Sequence, residues 1–432
     1  MNKQTINVGL IGLGTVGSGV VRIIERHQED LYQRTGCRIA IAKILVKQLD
    51  KERTVSVAAD KLTDNPRDVL HDPHIDVVVE VMGGVDTART YMTEALENGK
   101  HVVTANKDLM AQHGAELLEL AAANKCDVFF EASVAGGIPL LRALGEGLSS
   151  DRVKKMIGIV NGTTNYILSK MSHDGAAYAD VLHEAQQLGY AEADPTADVG
   201  GLDAARKMAI LATLGFHTPV VPDDVDVTGI TDVTPADLAY AKRLGYEMKL
   251  VGIAQEDDGM IDVSVQPTMI PVAHPLASVG GVFNAVYIYG EAVGETMFYG
   301  PGAGELPTAT AVVADLVAVV KNMRLGATGQ SGAPLYREKK LKADDQKYAK
   351  CFLRLLVVDR AGVLAKITQL LADYGISLEK VIQDPLGGRD LAEIVLITHE
   401  ASKHAFEQVK RQLEQLDIVN DIVSSYRVEG RM

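Results

Sequence analysis

The stretch that most constrains this chain is a short apolar run at residues 6–11 that leads directly into Gly12-Leu13-Gly14-Thr15-Val16-Gly17, with helical spacing over 16–28. The three glycines do different jobs. Gly12 permits a tight turn, Gly14 lets the backbone approach a pyrophosphate, and Gly17 lets the helix pack close to the sheet. The first helical turn, with Thr15 and Val16, offers unpaired N–H groups and a positive dipole end to phosphate. A strand before the motif, a helix after it and a βαβ series beyond are what make it a dinucleotide fingerprint.

The series continues to about residue 131. Residues 38–46, 76–81, 101–104 and 127–131 read as strands, and 86–98 and 108–124 as helices, with Gly99 a helix stop. The run at 76–81 is almost wholly apolar, as in parallel strands buried on both faces. An α/β N-terminal Rossmann domain with a doubly wound parallel sheet is expected over 1–135. Strand-like runs at 156–160, 261–266 and 285–289, separated by helices and Gly/Pro-rich loops, predict an α+β second domain over 136–325. A helix over 306–321, with Pro307 in its first turn, is expected to pack back on the first domain. Residues 326–348 lose the apolar period and gain Gly, Ser, Pro and Lys, a linker signature. The remainder, 349–432, reads βαββαβ. Its strands lie at 350–358, 376–383, 391–398 and 419–428, its helices at 363–374 and 402–416, and a turn at 385–388. This is the ferredoxin-like split pattern.

The 432 residues carry 43 Lys+Arg against 57 Asp+Glu, a formal charge of −14. That balance argues against nucleic acid or an anionic membrane as partner. Cys37, Cys126 and Cys351 are too few for a disulfide framework or a zinc site. No apolar run is expected to span a bilayer, and residues 1–5 lack the apolar segment of a signal peptide. A cytoplasmic protein is expected.

The densest chemistry lies between Gly189 and Lys207, where Glu192, Asp194, Asp198 and Asp203 surround Gly200-Gly201. Asp203 and Lys207 are four apart and share a helix face. An exposed pair there contributes little, but Leu202, Ala204, Ala205 and residues 208–211 predict a largely buried helix. A lysine beside carboxylates in a desolvated cleft can serve as proton donor. Thr104-Ala105-Asn106-Lys107 follows a strand at the carboxyl edge, where open α/β sheets bind ligands. Lys107 reads either as a substrate or phosphate anchor or as an ordinary loop lysine. Residues 131–139 are small enough for carbonyls to line a site, and Asn161-Gly162-Thr163-Thr164-Asn165 offers hydroxyls and N–H groups. After the second strand no acid occurs before Asp50, whereas Lys47, Lys51 and Arg53 are near. That pattern leans toward NADP(H), with NAD(H) possible; the same charges also read as solvated surface.

Taken together, the segments GLIGLGTVGSGV, TANK, EASVAGGIPL, NGTTNYIL, AEADPTADVGGLDAARK and GPGAGELPTAT resemble homoserine dehydrogenases of the monofunctional bacterial kind with a C-terminal ACT domain. The resemblance implies NAD(P)H-dependent reduction of L-aspartate 4-semialdehyde to L-homoserine, on the route to threonine, isoleucine and methionine. It gives the domain over 136–325 catalytic, substrate-binding and dimerisation roles. It makes Lys207 the proton donor, with Asp203, Glu192, Asp198 and Thr163 around the substrate and Lys107 beside both substrate and nicotinamide. Thr104, Gly189, Gly302 and Gly304 would contact cofactor. Carbonyls of Glu131, Val134, Gly136 and Ile138 would hold a sodium ion. In the ACT unit, Asp359, Ala361, Gly362 and Val363 would form an effector site, with L-threonine feedback the expected regulation, in a homodimer or homotetramer. Another NAD(P)-dependent reductase is the nearest competing enzyme. A phosphorylating dehydrogenase would need a nucleophilic cysteine at a site loop. An aspartokinase fusion is not expected, since the first strand starts at Ile6. A non-enzymatic sensor would have no use for the Glu192–Asp203–Lys207 set.

Overall fold

The computed structural model describes residues 4–330, 334–386 and 390–430. The chain forms two compact units: residues 1–156, 206–224 and 283–339, and residues 157–205, 225–282 and 340–432.

The first unit contains the expected parallel sheet. Its strand order is Leu62–Thr63, Arg38–Leu45, Thr5–Ile11, Val77–Glu80, His101–Thr104, Val128–Phe129. All four residues of Val77–Glu80 are buried, which is why its apolar run shows no alternation. Helix Thr15–Arg26 buries Val20, Val21 and Ile24 in a core shared with Val8 and Leu10. Helix Glu305–Leu325 joins that core through Ala309, Val312, Leu316, Val319 and Val320. The two helices meet closely at Gly19, where a Cβ would lie 2.8 Å from the Ala309 methyl and from the Glu305 carbonyl oxygen. Helix Glu305–Leu325 outruns the sequence expectation to Leu325, where Gly326 (φ 68°) caps it. It also corrects the expectation about membrane spans, because by length and composition alone it could cross a bilayer. Half of its apolar window is buried within the protein. Strands Phe283–Gly290 and Gly294–Pro301 form an antiparallel hairpin.

In the second unit one sheet runs in the order Tyr246–Asp257, Met260–Pro271, Val419–Val428, Tyr348–Val358, Leu391–Thr398, Leu378–Pro385. The last four strands, with helices Val363–Asp373 and Lys403–Leu413 on one face, are the expected βαββαβ unit. In the expected turn at 385–388, Gly387 and Gly388 lie outside the described residues. The seam between this unit and the preceding hairpin is two parallel pairs, Thr268↔Arg427 and Met269↔Val428. Ahead of it, Ile261 bridges Leu341, so part of the 326–348 stretch is bonded to the sheet.

The sheet face opposite those helices carries Arg354, which is buried, together with Glu393, Ser424 and Tyr426. These meet helix Pro235–Leu244 around Asp237, which is fully buried. The Asp237 carboxylate accepts from Arg354 (2.9 Å), Ser424 Oγ (2.6 Å), Tyr426 OH (3.0 Å) and Thr234 Oγ (2.7 Å). Burial and the neighbouring Asp237 charge push the Tyr426 phenol well above its usual range.

Candidate active site

Gly12 adopts φ 99°, and a Cβ there would lie 2.8 Å from the Val81 carbonyl oxygen. At Gly17 a Cβ would strike the Gly12 carbonyl oxygen, whereas at Gly14 it would meet nothing within 4 Å. The loop is therefore closed toward the sheet and open where a pyrophosphate would lie. Thr15 is exposed and Val16 half-buried at the mouth of helix Thr15–Arg26.

A residue that sequence reasoning treated only as part of a strand shapes this edge. Glu80 is fully buried, and its carboxylate accepts from Met82 N (2.8 Å), Gly83 N (3.2 Å) and Thr104 Oγ (2.6 Å). It fixes the loop beside Gly12, and an acid within an otherwise apolar buried run was its sequence signal. The Thr104 hydroxyl is thereby committed to the protein. Asn106 caps the next helix, accepting from Leu109 N (3.1 Å), and donates to the Gly84 carbonyl (2.6 Å). Lys107 is the first residue of helix Lys107–Ala123 rather than a loop residue. Asp108 Oδ1 lies 3.1 Å from Arg206 Nε, which joins this helix to the one bearing Lys207. Lys207 itself is half-buried.

Lys47 is exposed at the end of its strand. Arg53 turns back on its own loop, donating to the carbonyls of Gln48, Leu49 and Lys51. Gly302 lies against the Asn284 amide, and Gly304 (φ 124°) precedes helix Glu305–Leu325. At residues 131–138 the Glu131 carboxylate is fully employed: it accepts from Leu140 N and Leu141 N (both 2.6 Å) and Arg142 N (2.8 Å). Glu131 N donates to Asp315, whose carboxyl is pushed up to about 7 by burial, against the attraction of Arg142 at 2.6 Å. Val134 and Ile138 are buried, and between them Ala135 (φ 54°) and Gly136 (φ 33°) form a left-handed turn.

In the second unit the polar run at 161–165 is a helix start. Asn161 caps helix Gly162–Asp174 by accepting from Thr164 N (2.9 Å). Its amide donates to Asp198 Oδ1 (2.7 Å) and Asp203 Oδ2 (2.9 Å). One side chain thus uses both amide hydrogens to hold two carboxylates together, which suits an ammonium group. Thr163 Oγ donates to the Tyr190 carbonyl (2.6 Å). Lys249, 2% exposed, lies beneath the same helix and donates to Asn165 Oδ1 (3.3 Å), Ser169 Oγ (3.2 Å) and the Val279 carbonyl (2.7 Å). Burial pushes its ammonium down to about 8. Helix Leu202–Phe216 carries Asp203, which is buried, and Lys207 one turn on. Leu202 is 44% exposed, contrary to its expected place among the buried residues. Glu192 and Gly189 (φ 74°) are exposed. Asp359, Ala361 and Gly362 form an exposed loop, and Val363, buried, opens helix Val363–Asp373.

Three family models match the chain: "Homoserine dehydrogenase, NAD binding domain" over residues 12–131, "Homoserine dehydrogenase" over 139–317 and "ACT domain" over 352–417. Homoserine dehydrogenase of Bacillus subtilis is 58% identical over 428 residues, covering 99% of each chain. A solved homoserine dehydrogenase from Thiobacillus denitrificans superposes with a TM-score of 0.92 at 42% identity, over 99% of each chain. A hyperthermophilic archaeal homoserine dehydrogenase solved in complex with NADPH gives a TM-score of 0.62 at 28% identity, over 73% of this chain and 97% of that one. With a dinucleotide fold, a carboxylate-lined helix start and an ACT unit in one chain, and relatives matched end to end, this protein belongs to the homoserine dehydrogenase family.

Proposed function

We propose that this chain reversibly reduces L-aspartate 4-semialdehyde to L-homoserine with NADP(H) preferred over NAD(H), in the cytoplasmic synthesis of threonine, isoleucine and methionine. Membership of a family of that name carries the reading, and the Asn161–Asp198–Asp203 cluster supports it as an ammonium site. The open face at Gly14 receives the pyrophosphate, with Thr15, Val16, Gly189, Gly302 and Gly304 around the dinucleotide. The nicotinamide supplies or accepts the hydride when bound. Lys207 gives its proton to the carbonyl oxygen as negative charge develops there, and Lys107 anchors the substrate carboxylate beside the cofactor. Asp198 and Asp203 receive the amino group, with Glu192 and Thr163 closing that end. The NADP(H) preference rests on Lys47 and on the lack of an acid before Asp50, and the NADPH bound to the archaeal relative agrees with it.

Among the described residues no side-chain cluster is suited to a metal. The left-handed turn at Ala135-Gly136 fits a sodium ion held by the carbonyls of Glu131, Val134, Gly136 and Ile138, which would brace the turn. The exposed Asp359–Gly362 loop, at the N-terminal end of helix Val363–Asp373, is the place for L-threonine as feedback effector, with Val363. The working form is a homodimer or homotetramer.

Homoserine-dependent reduction of NADP and of NAD, on the parent and on Lys207→Ala, tests the reading. Turnover that falls by ~10²–10⁴-fold in the variant, with cofactor binding kept, is the expected result. No turnover by the parent with either cofactor would overturn it.

A further inference from the structure

The second unit holds a cavity of about 290 Å³ that none of the roles above uses. It exists because strands Met260–Pro271 and Val419–Val428 pair only at Thr268 and Met269. Nearer its start, the first of these strands pairs at Ser264 and Val265 with Asp226 and Val227. Asp262, Ser264 and Gln266 alternate along one strand and so share a face, as Ser425 and Arg427 do on the other. Helix Lys403–Leu413 provides the roof through Lys403, Phe406, Glu407 and Lys410, a single helical stripe.

Most charges here are matched. Lys347 and Lys403 pair with Asp226 at 2.7 and 2.9 Å, and Lys410 with Glu407 at 3.0 Å. Two groups are not. Asp262, 5% exposed, keeps its Oδ1 without a hydrogen-bond partner, with Lys347 Nζ 3.8 Å away. Arg427, with a side chain 11% exposed, keeps its Nε without one, with Glu429 Oε2 at 3.8 Å. Buried charged groups that lack hydrogen bonds are costly, and such atoms mark places where a ligand or water completes the set. The two have opposite signs, so a complementary ligand carries both charges. They are also far apart: Arg427 sits opposite Thr268, six residues beyond Asp262, which is roughly 20 Å of strand. Even with both side chains reaching inward, the adjacent amino and carboxyl groups of one α-amino acid cannot serve both ends.

The geometry points to a binding site for an extended zwitterion, a molecule with a carboxylate at one end and an ammonium at the end of a long aliphatic chain. The carboxylate meets Arg427 and Lys410, the ammonium meets Asp262, and Ser264, Gln266 and Ser425 line the path. The inference is independent of the proposed reaction.

Calorimetric titration of the full-length protein with 6-aminohexanoate and with L-lysine tests it, alongside hexanoate and pentylamine, which carry one charge each. Saturable binding of both two-ended probes, at least tenfold weaker binding of the one-ended ones, and at least tenfold weakening in Asp262→Asn and Arg427→Gln are expected. Ser425→Leu, which fills the trough from a half-buried position without touching either charge, should abolish binding while thermal unfolding stays cooperative. Failure of both two-ended probes to bind, or undiminished binding by all three variants, would overturn the proposal.

Discussion

Asp108 and Arg206 form an ion pair at 3.1 Å, each side chain about one-third exposed, and it joins the helix that begins at Lys107 to the helix that carries Lys207. A pair this exposed contributes little to stability, about 0–1 kcal/mol. Under the proposed function its value is positional, because small misplacements at a reacting centre are costly. Asp108→Asn is expected to lower kcat by about 10- to 100-fold while leaving the thermal midpoint nearly unchanged. Steady-state kinetics with parallel thermal scans will show it; equal losses in both would mean the pair is only structural.

Asn161 has two tasks, and they can be separated. As a cap it contributes about 1 kcal/mol, and as a donor it holds two carboxylates together. Asn161→Asp keeps the cap acceptor but sets a third acid against Asp198 and Asp203. The expected outcome is KM for homoserine raised at least about tenfold with cofactor affinity unchanged, and a stability loss of about 1–3 kcal/mol from the buried carboxylates that lose their donors. Denaturant unfolding, kinetics and cofactor titration on one preparation separate the two tasks.

Lys249 predicts a pH dependence. Its folded value, near 8, lies below the unfolded lysine value of about 10.4. Between those two pH values the unfolded chain holds more protons, so stability contributed by this group rises with pH across that window and is level below it. The slope should exceed that of Lys249→Met by up to about 1.4 kcal/mol per pH unit. Urea unfolding at a series of pH values measures the difference. Glu247, the acid acting on Lys249, opposes the shift, so Glu247→Gln should lower the Lys249 value further.

Arg354 ties the ACT sheet to helix Pro235–Leu244 through Asp237 at 2.9 Å, and pairs with Glu393 of the neighbouring strand at 2.6 Å. Both acids lose a donor in Arg354→Met, and a broken buried pair costs about 3–5 kcal/mol. Adding Asp237→Asn should recover part of that loss, since the two effects share one network. A double-mutant cycle in urea is the check.

Five of the six strands of the N-terminal sheet were legible because each is a local apolar run followed by a turn signal, and the ACT order for the same reason, whereas the two-residue edge strand Leu62–Thr63 carries no such run. Strand Tyr246–Asp257 escaped because it is buried along nearly its whole length and shows neither alternation nor a bounding Pro. Helix Gly162–Asp174 was not legible as a helix because its start, Asn161 to Asn165, lacks an apolar period, although Asn161 three residues before Thr164 was its cap signal. The site residues were legible as motifs. Pairings such as Asn161 with Asp198 and Asp203, or Glu80 with Thr104, join positions 24 to 42 residues apart, and no local pattern encodes them.

The two-rung seam at Thr268 and Met269 also bears on what happens to a shortened chain. Without the final strand, Val419–Val428, the backbone groups at Thr268 and Met269 lose their partners, and that edge of Met260–Pro271 keeps only the short cover at Ser264 and Val265. A bare sheet border is a template for another copy to add itself. Removing the last 80 or so residues would therefore enlarge a self-associating border, and loss of solubility in such a fragment would report on that border.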